Sequence, residues 1–445
     1  MEYLYQAIVG QKKEYLWLIL IGITGFFGGF ILASLVLLLA MHFQSGNDRF
    51  RLLLFLLIFW MSDQVSQQFA YWKILRFVIL GIFFVSLFRK HLIFISPTNR
   101  LLVLSVYSCV LALLYSPVFF DSFLRGLGYW LVGLVVFVEI GGWYRNDRWR
   151  IIDAILLFGH LFFGFGILVK IFGFSFFNVE MAGRFSGLMG NPNGLGLLSV
   201  MLLPLLDYFI TVVNDDKPYV RALRLLQVLI LISVVLSGSR SALACIFIYV
   251  MLSWGLKNSL RMILTGGITF LLFYFFNSFN WTEILNTYGL TEYARVDSLE
   301  TASGRSEVWK IVWTEIQKSP WIGKGMLYDI HFIGEYRRTL TGVVARHWSG
   351  VWNSYLSMLM DVGFIGLGLY LWFIFKCFLR SANKRLALAF LCATLFLGIT
   401  ESWMAASMNA FTPMFFLYWA IQGADRERQE EEDLNERSGK SPISV

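Results

Sequence analysis

Long apolar runs alternate with short polar joints along almost the whole chain. The runs occupy residues 16–43, 50–61, 71–88, 101–119, 123–143, 151–174, 193–213, 222–236, 241–256, 259–279, 351–379, 386–400 and 404–422. They carry neither a two-residue nor a 3.6-residue period, as expected of helices that meet lipid on one side and other helices on the other. Most approach the roughly 20 residues needed to cross a bilayer. The pattern predicts an all-α integral membrane protein with about 12–14 transmembrane helices. The count is open at the start, because run 16–43 is long for one span and short for two, with Gly25, Gly28 and Gly29 in its middle. Two segments break the rhythm. One is a polar stretch over 281–350; the other is an acidic tail, Asp425 to Glu436, read as a solvated, disordered charge run. The chain thus divides into N-terminal transmembrane helices (1–280), a large extramembrane segment (281–350), C-terminal transmembrane helices (351–422) and a cytoplasmic acidic tail (423–445).

Composition narrows the function. Of 445 residues, 57% are hydrophobic and only 15% charged. Soluble domains carry about 25% charge, so an ordinary water-soluble enzyme is excluded. The net charge of +8 need not mean nucleic acid, since basic cytoplasmic loops account for it. Cys109, Cys245, Cys377 and Cys392 are scattered in or beside apolar runs and form no CxxC pair. There is no phosphate-binding glycine loop, no dinucleotide fingerprint, no His/Asp metal cluster and no Asp-x-Asp pair. Nothing in the sequence implies a cofactor or a metal. Ionisable residues are sparse in the apolar runs, His160, Lys170 and Asp207 among them, which argues against a proton-relay transporter.

Orientation follows from Lys and Arg in the short joints. Alternate joints are basic: Arg89, Lys90 and Arg100; Arg145, Arg148 and Arg150; Lys217, Arg221 and Arg224; Lys257 and Arg261; Lys376, Arg380, Lys384 and Arg385. The opposite joints are nearly bare. With the basic set in the cytoplasm, 175–192, 237–240 and 281–350 lie outside, where positive charge is disfavoured. Arg184 and Arg240 therefore stand out, each the one basic residue in a short, glycine- or serine-rich external joint. Small neighbours let the backbone approach a ligand, and a guanidinium offers a bidentate fork to phosphate. The bland alternative is snorkelling to lipid headgroups. Segment 281–350 balances eight Lys/Arg against eight Asp/Glu. Within it, Gly304-Arg305 opens a helix that Ser319-Pro320 ends, so Arg305 sits in a first turn where a cation opposes the helix dipole unless an anion binds. His331 and His347 are the external histidines, and His347, beside Arg346 and just before a membrane helix, is the better placed.

Four ordered motifs add a resemblance. Arg184-Phe-x-Gly with Asn191-Pro192-Asn193-x-Leu-Gly comes first, then Ser-x-Ser239-Arg240-Ser-Ala. Gly304-Arg305-x-x-x-Trp309 with Pro320-x-x-Gly323-x-Gly325 is third, and Asn353-x-Tyr355-Leu with Gly363-x-x-Gly366 is fourth. Together, over about 184–366, they resemble the O-antigen ligase and polymerase superfamily. The resemblance implies a GT-C-like, metal-independent, inverting glycosyltransferase of the bacterial inner membrane, its active site facing the periplasm. Its donor would be a glycan on undecaprenyl diphosphate. Its acceptor would be lipid A–core or another lipid-linked glycan, with membrane lipids as surroundings and no nucleic acid. Arg240, Arg305 and His347 would be catalytic; Arg184, Asn191, Asn193, Arg346 and Asn353 would bind substrate. The chain departs from the family at one place: Trp352 stands directly before Asn353, where ligases commonly carry His, and His347 lies five residues upstream. Either His347 takes that role from a neighbouring turn or the chain does not use that histidine. Ligase, polymerase and non-enzymatic flippase remain the competing readings.

Overall fold

The computed structural model describes residues 12–62, 72–90, 98–173, 179–181, 183–214, 216–258, 260–264, 266–267, 305–339 and 350–437. Most of the expected 259–279 span, the first part of the extramembrane segment, Arg346 and His347 lie outside them. The described chain is an all-α integral membrane protein. Its first half comprises α1 (Lys12–Phe43), α2 (Asp48–Ser62), α3 (Trp72–Arg89), α4 (Thr98–Tyr115), α5 (Phe119–Asn146) and α6 (Arg148–Phe172). A two-residue hairpin, Glu180–Met181 against Arg184–Phe185, leads into α7 (Pro192–Val212), α8 (Lys217–Ser237) and α9 (Arg240–Gly255). After the extramembrane helices α10 (Arg305–Ile316) and α11 (Tyr328–Thr339) come α12 (Ser354–Leu379), α13 (Lys384–Thr400) and α14 (Phe411–Arg437). Among the described residues, six stretches, α4 to α8 and α12, are long and apolar enough to cross a membrane. Of the six, α7 is the most buried, packed among α8, α9, α13 and α14. The long first run is one helix broken at Gly29 (φ 68°, ψ −169°), leaving apolar pieces Glu14–Gly25 and Gly29–Phe43.

A second break organises the site. Within α12, Gly363 takes φ 65° and ψ −171°, which interrupts the helical hydrogen-bond ladder inside an apolar span. Freed backbone groups at that depth must find partners. Segment 320–325 supplies them: Phe364 N–H donates to Pro320 O (2.9 Å) and Ile365 N–H to Trp321 O (3.1 Å). In return, Lys324 N–H donates to Met360 O (2.9 Å) and Gly325 N–H to Asp361 O (2.7 Å). The backbones approach so closely that a β-carbon on Gly323 would lie 2.6 Å from Asp361 backbone atoms. The Pro-x-x-Gly-x-Gly and Gly-x-x-Gly motifs are the two halves of this splice. The Asp361 carboxylate then accepts from Leu327 N–H (3.0 Å) and Asp329 N–H (2.9 Å), capping α11 from another element.

A polar knot fixes α10 to the same segment. Buried Glu315 accepts from Lys318 Nζ (2.6 Å), Lys324 Nζ (2.5 Å) and the Tyr328 hydroxyl (2.7 Å). Burial alone would raise its pKa, but these three donors and the Lys324 charge overcome that and hold it at about 2. A depressed carboxylate contributes stability that is full above its unfolded pKa, about 4.3, and is lost as pH falls toward the folded value. In detergent, the thermal midpoint of the wild type should therefore fall between about pH 4.5 and 2 more steeply than that of Glu315→Gln. Parallel curves through that window would show that the knot contributes nothing.

Two expectations are corrected. The acidic tail is not a disordered run up to Arg437: α14 continues through it. The anchor is buried Asp425, which accepts from the Tyr144 (2.8 Å) and Tyr208 (2.6 Å) hydroxyls and pairs with Arg428 (2.9 Å). Beyond it, Arg426–Glu430 pairs at i,i+4 support the exposed turns. The ionisable residues of the apolar runs also matter more than their sparseness suggested: Glu139, held by Lys90 and Ser86, and Asp361 are buried within them.

Candidate functional site

Three helices, α7, α9 and α12, begin at one end of the bundle around the joint that follows α13, and the first described turn of α10 lies beside them. Asn191 caps α7, its Oδ1 accepting from Asn193 N–H (3.0 Å) with Pro192 at the first helical position, a favoured N-terminal pairing. Asn353 caps α12, its Oδ1 accepting from Tyr355 and Leu356 N–H, both at 3.0 Å. The start of α9 packs on α7 at Gly196, where a β-carbon would meet Ser239 Oγ at 2.8 Å and the Ala242 β-carbon at 2.7 Å. The first described turn of α10 is tied to the end of α13 through Arg305. Helix N-termini present unpaired N–H groups and partial positive charge, so their convergence favours an anion.

Three sequence-predicted residues meet here through one that was not predicted. Arg184, from the short hairpin, donates through Nε to Ser237 O (2.8 Å) at the end of α8 and through Nη2 to Asn193 Oδ1 (3.1 Å). Asn193 Nδ2 donates to Glu401 Oε1 (3.2 Å). Arg305 Nη2 lies 3.4 Å from the same Glu401 oxygen, and its Nη1 donates to Thr400 O. Glu401 is 4% exposed. Burial pushes its pKa up; the charges of Arg305 and then Arg184, with their neighbours' hydrogen bonds, oppose that. The joint is locked from α12: Ser354 Oγ donates to Glu401 O (2.6 Å), and Asn353 N–H donates to Ser402 Oγ (2.9 Å).

Arg240 opens α9 half-buried at the same end. Asn191 and Asn353 commit their side-chain oxygens to caps, so what either offers a ligand is its amide N–H. Arg346 and His347 lie outside the described residues. Trp352, in the position of the family's histidine, takes φ 53°, a conformation that costs a bulky residue energy and clusters at functional sites. Its indole lies under the Arg305 guanidinium at 5.6 Å, and Trp309 Nε1 fixes the preceding residue through Val351 O (2.9 Å). The residue missed by sequence reasoning is Glu401. Its one signal is that it is the sole charge of the 401–410 joint, between two apolar helices.

Guanidiniums gathered at converging helix N-termini suit a multiply charged anion such as a diphosphate. Among the described residues, no His/Cys/Asp/Glu group has the spacing to hold a metal ion. Residues 225–371 match a family model described as O-Antigen ligase. The match supports the resemblance to the O-antigen ligase and polymerase superfamily. It spans Arg240, Arg305, His347, Asn353 and the splice at Gly363, and stops short of Glu401. No curated protein matches the chain.

Proposed function

We propose that the protein transfers a glycan en bloc from undecaprenyl diphosphate to an acceptor hydroxyl, as an inverting, metal-independent glycosyltransferase of the inner membrane with its site toward the periplasm. The observation that carries this reading is the Arg184–Asn193–Glu401–Arg305 network beside the converging N-termini of α7, α9 and α12. In the transfer, the anomeric carbon–oxygen bond breaks and its electron pair leaves on the lipid diphosphate. The acceptor oxygen attacks the opposite face of the same carbon and gives its proton to a base. Arg184, Arg240 and Arg305 stabilise the departing charge as preorganised donors. Glu401, already buried and hydrogen-bonded, keeps two of these side chains aligned before substrate arrives. The bundle and the splice hold donor and acceptor in line.

The acceptor separates ligase from polymerase. A strain lacking this chain should accumulate lipid A–core without glycan if the protein is a ligase. Core bearing a single repeat unit indicates a polymerase. Unchanged glycan on both core and carrier would overturn glycan transfer altogether. The flippase reading has less support, because the basic residues of the site gather at helix ends.

As general base, His347 would add roughly 10²–10⁴-fold to the rate. Purified His347→Ala is expected to lose turnover by that factor with donor affinity little changed. Its pH–rate profile should lose the acidic limb, where the imidazole protonates. Turnover within about threefold of wild type would remove His347 from the mechanism.

A further inference from the structure

The opposite end of the bundle holds a cavity. It measures about 90 Å³ between α5, the end of α12 and α14, against the roughly 10–15 Å³ that one water requires. Along α12, Arg380 at this cavity is 26 helical residues from Asn353 at the arginine site, about 39 Å at 1.5 Å per residue. The two sites therefore sit at different ends of the membrane span.

Three independent features converge on the cavity. Its α5 wall, Phe137 and Val138, belongs to a π-helical turn over Val135–Ile140, a local widening that recurs at functional sites. The wall is rigid: Phe137 packs edge-on against Phe373 and at a tilt against Phe416. Trp419 closes the apolar side. The rim is charged, with Arg145, Arg380 and Glu427 all lining it. Arg145 pairs with Glu427 at 2.7 Å, and among the described residues no carboxylate lies within ion-pairing distance of Arg380. Two guanidiniums against one carboxylate leave one positive charge beside an apolar wall, at the rim of a membrane bundle. The helix dipole favours a cation at the end of α12, but it does not account for the cavity beside that cation.

We propose that this cavity binds the phosphate of an anionic phospholipid. The Arg380 fork would hold the phosphate, with Arg145 turned toward it from the Glu427 pair. A net charge of +1 matches the single negative charge of a phosphatidylglycerol headgroup, and basic pockets between transmembrane helices take anionic lipids. The site is separate from the transfer chemistry and does not depend on it.

The test is native mass spectrometry of the purified full chain titrated with phosphatidylglycerol and, separately, phosphatidylcholine. Wild type is expected to bind phosphatidylglycerol at least about fivefold more tightly, the size of one arginine's attraction to an anionic headgroup. Arg380→Gln should erase that preference, and Arg380→Lys should keep part of it. Arg221→Gln, which removes an exposed charge from another basic joint, should leave the preference intact. Equal affinity of wild type for the two lipids overturns the proposal. So does a preference that survives Arg380→Gln in a protein of unchanged thermal midpoint. Displacement of bound lipid by millimolar inorganic phosphate would identify a free-anion site and overturn it equally.

Discussion

Arg305→Ala is expected to abolish glycan transfer, lowering turnover by about 10³-fold, the upper range for removing one preorganised donor from a charged transition state. The guanidinium joins α10 to Thr400 and Glu401 and lies over the Trp352 indole. Its loss would remove a charge at the leaving group and also leave Glu401 buried with less compensation. The second effect acts on stability, so the two must be separated. Arg305→Ala combined with Glu401→Gln should recover the thermal midpoint without recovering transfer. Arg305→Lys should rescue poorly, because an ammonium supplies a point charge where a fork bridges a carbonyl and a carboxylate. Arg240→Ala should fall by a similar factor. Wild-type transfer by both alanine variants would end the proposed electrostatic clamp and leave Arg305 as a structural tie between α10 and the end of α13.

Gly363→Ala is expected to prevent accumulation of folded protein. At φ 65° any side chain is strained, and a β-carbon there would lie 2.3 Å from the carbonyl carbon and oxygen of Trp321. Those are backbone atoms of the splice, fixed by four hydrogen bonds, so nothing yields cheaply. The cost should exceed about 4 kcal/mol, a size seen only for a few mechanisms of this kind. Gly368→Ala, five residues on in the same helix, meets nothing within 4 Å and should be neutral or slightly stabilising. Yield in membranes and the thermal midpoint of the pair read the difference. Similar behaviour of the two variants would mean that the break is not required for folding.

The membrane helices were legible because a bilayer admits little else: long apolar runs must be helical, and their basic joints mark their ends. The helix through Arg305 and its end before the Ser-Pro stop were legible, while the residues that would open it lie outside the described ones. Asn191 and Asn353 show where the reading stops. Their patterns, Asn-Pro and Asn-Ser-Tyr, serve equally as ligand sites and as helix caps, and only the bond to N–H groups two and three residues ahead identifies the caps. The glycines of α12 were ambiguous for a related reason. Small residues in membrane helices usually mark close packing, and it takes a positive φ to reveal a break. Glu401 was hidden by distance along the chain. It lies 96 residues from Arg305 and 208 from Asn193, and a lone carboxylate in a short joint carries no spacing that announces its partners.

The splice also orders the events of synthesis. Residues 320–325 leave the ribosome about 40 residues before Gly363, so the strand that completes α12 exists before the helix needing it reaches the bilayer. Closing a loop of that length is entropically inexpensive, since each doubling of length costs only about 0.6 kcal/mol. The reverse order would hold a half-built span in hydrocarbon with open carbonyls until its partner was made. Chain direction thus shields this broken span during its insertion, and a circular permutant that moved 320–325 behind α12 would lose that shelter.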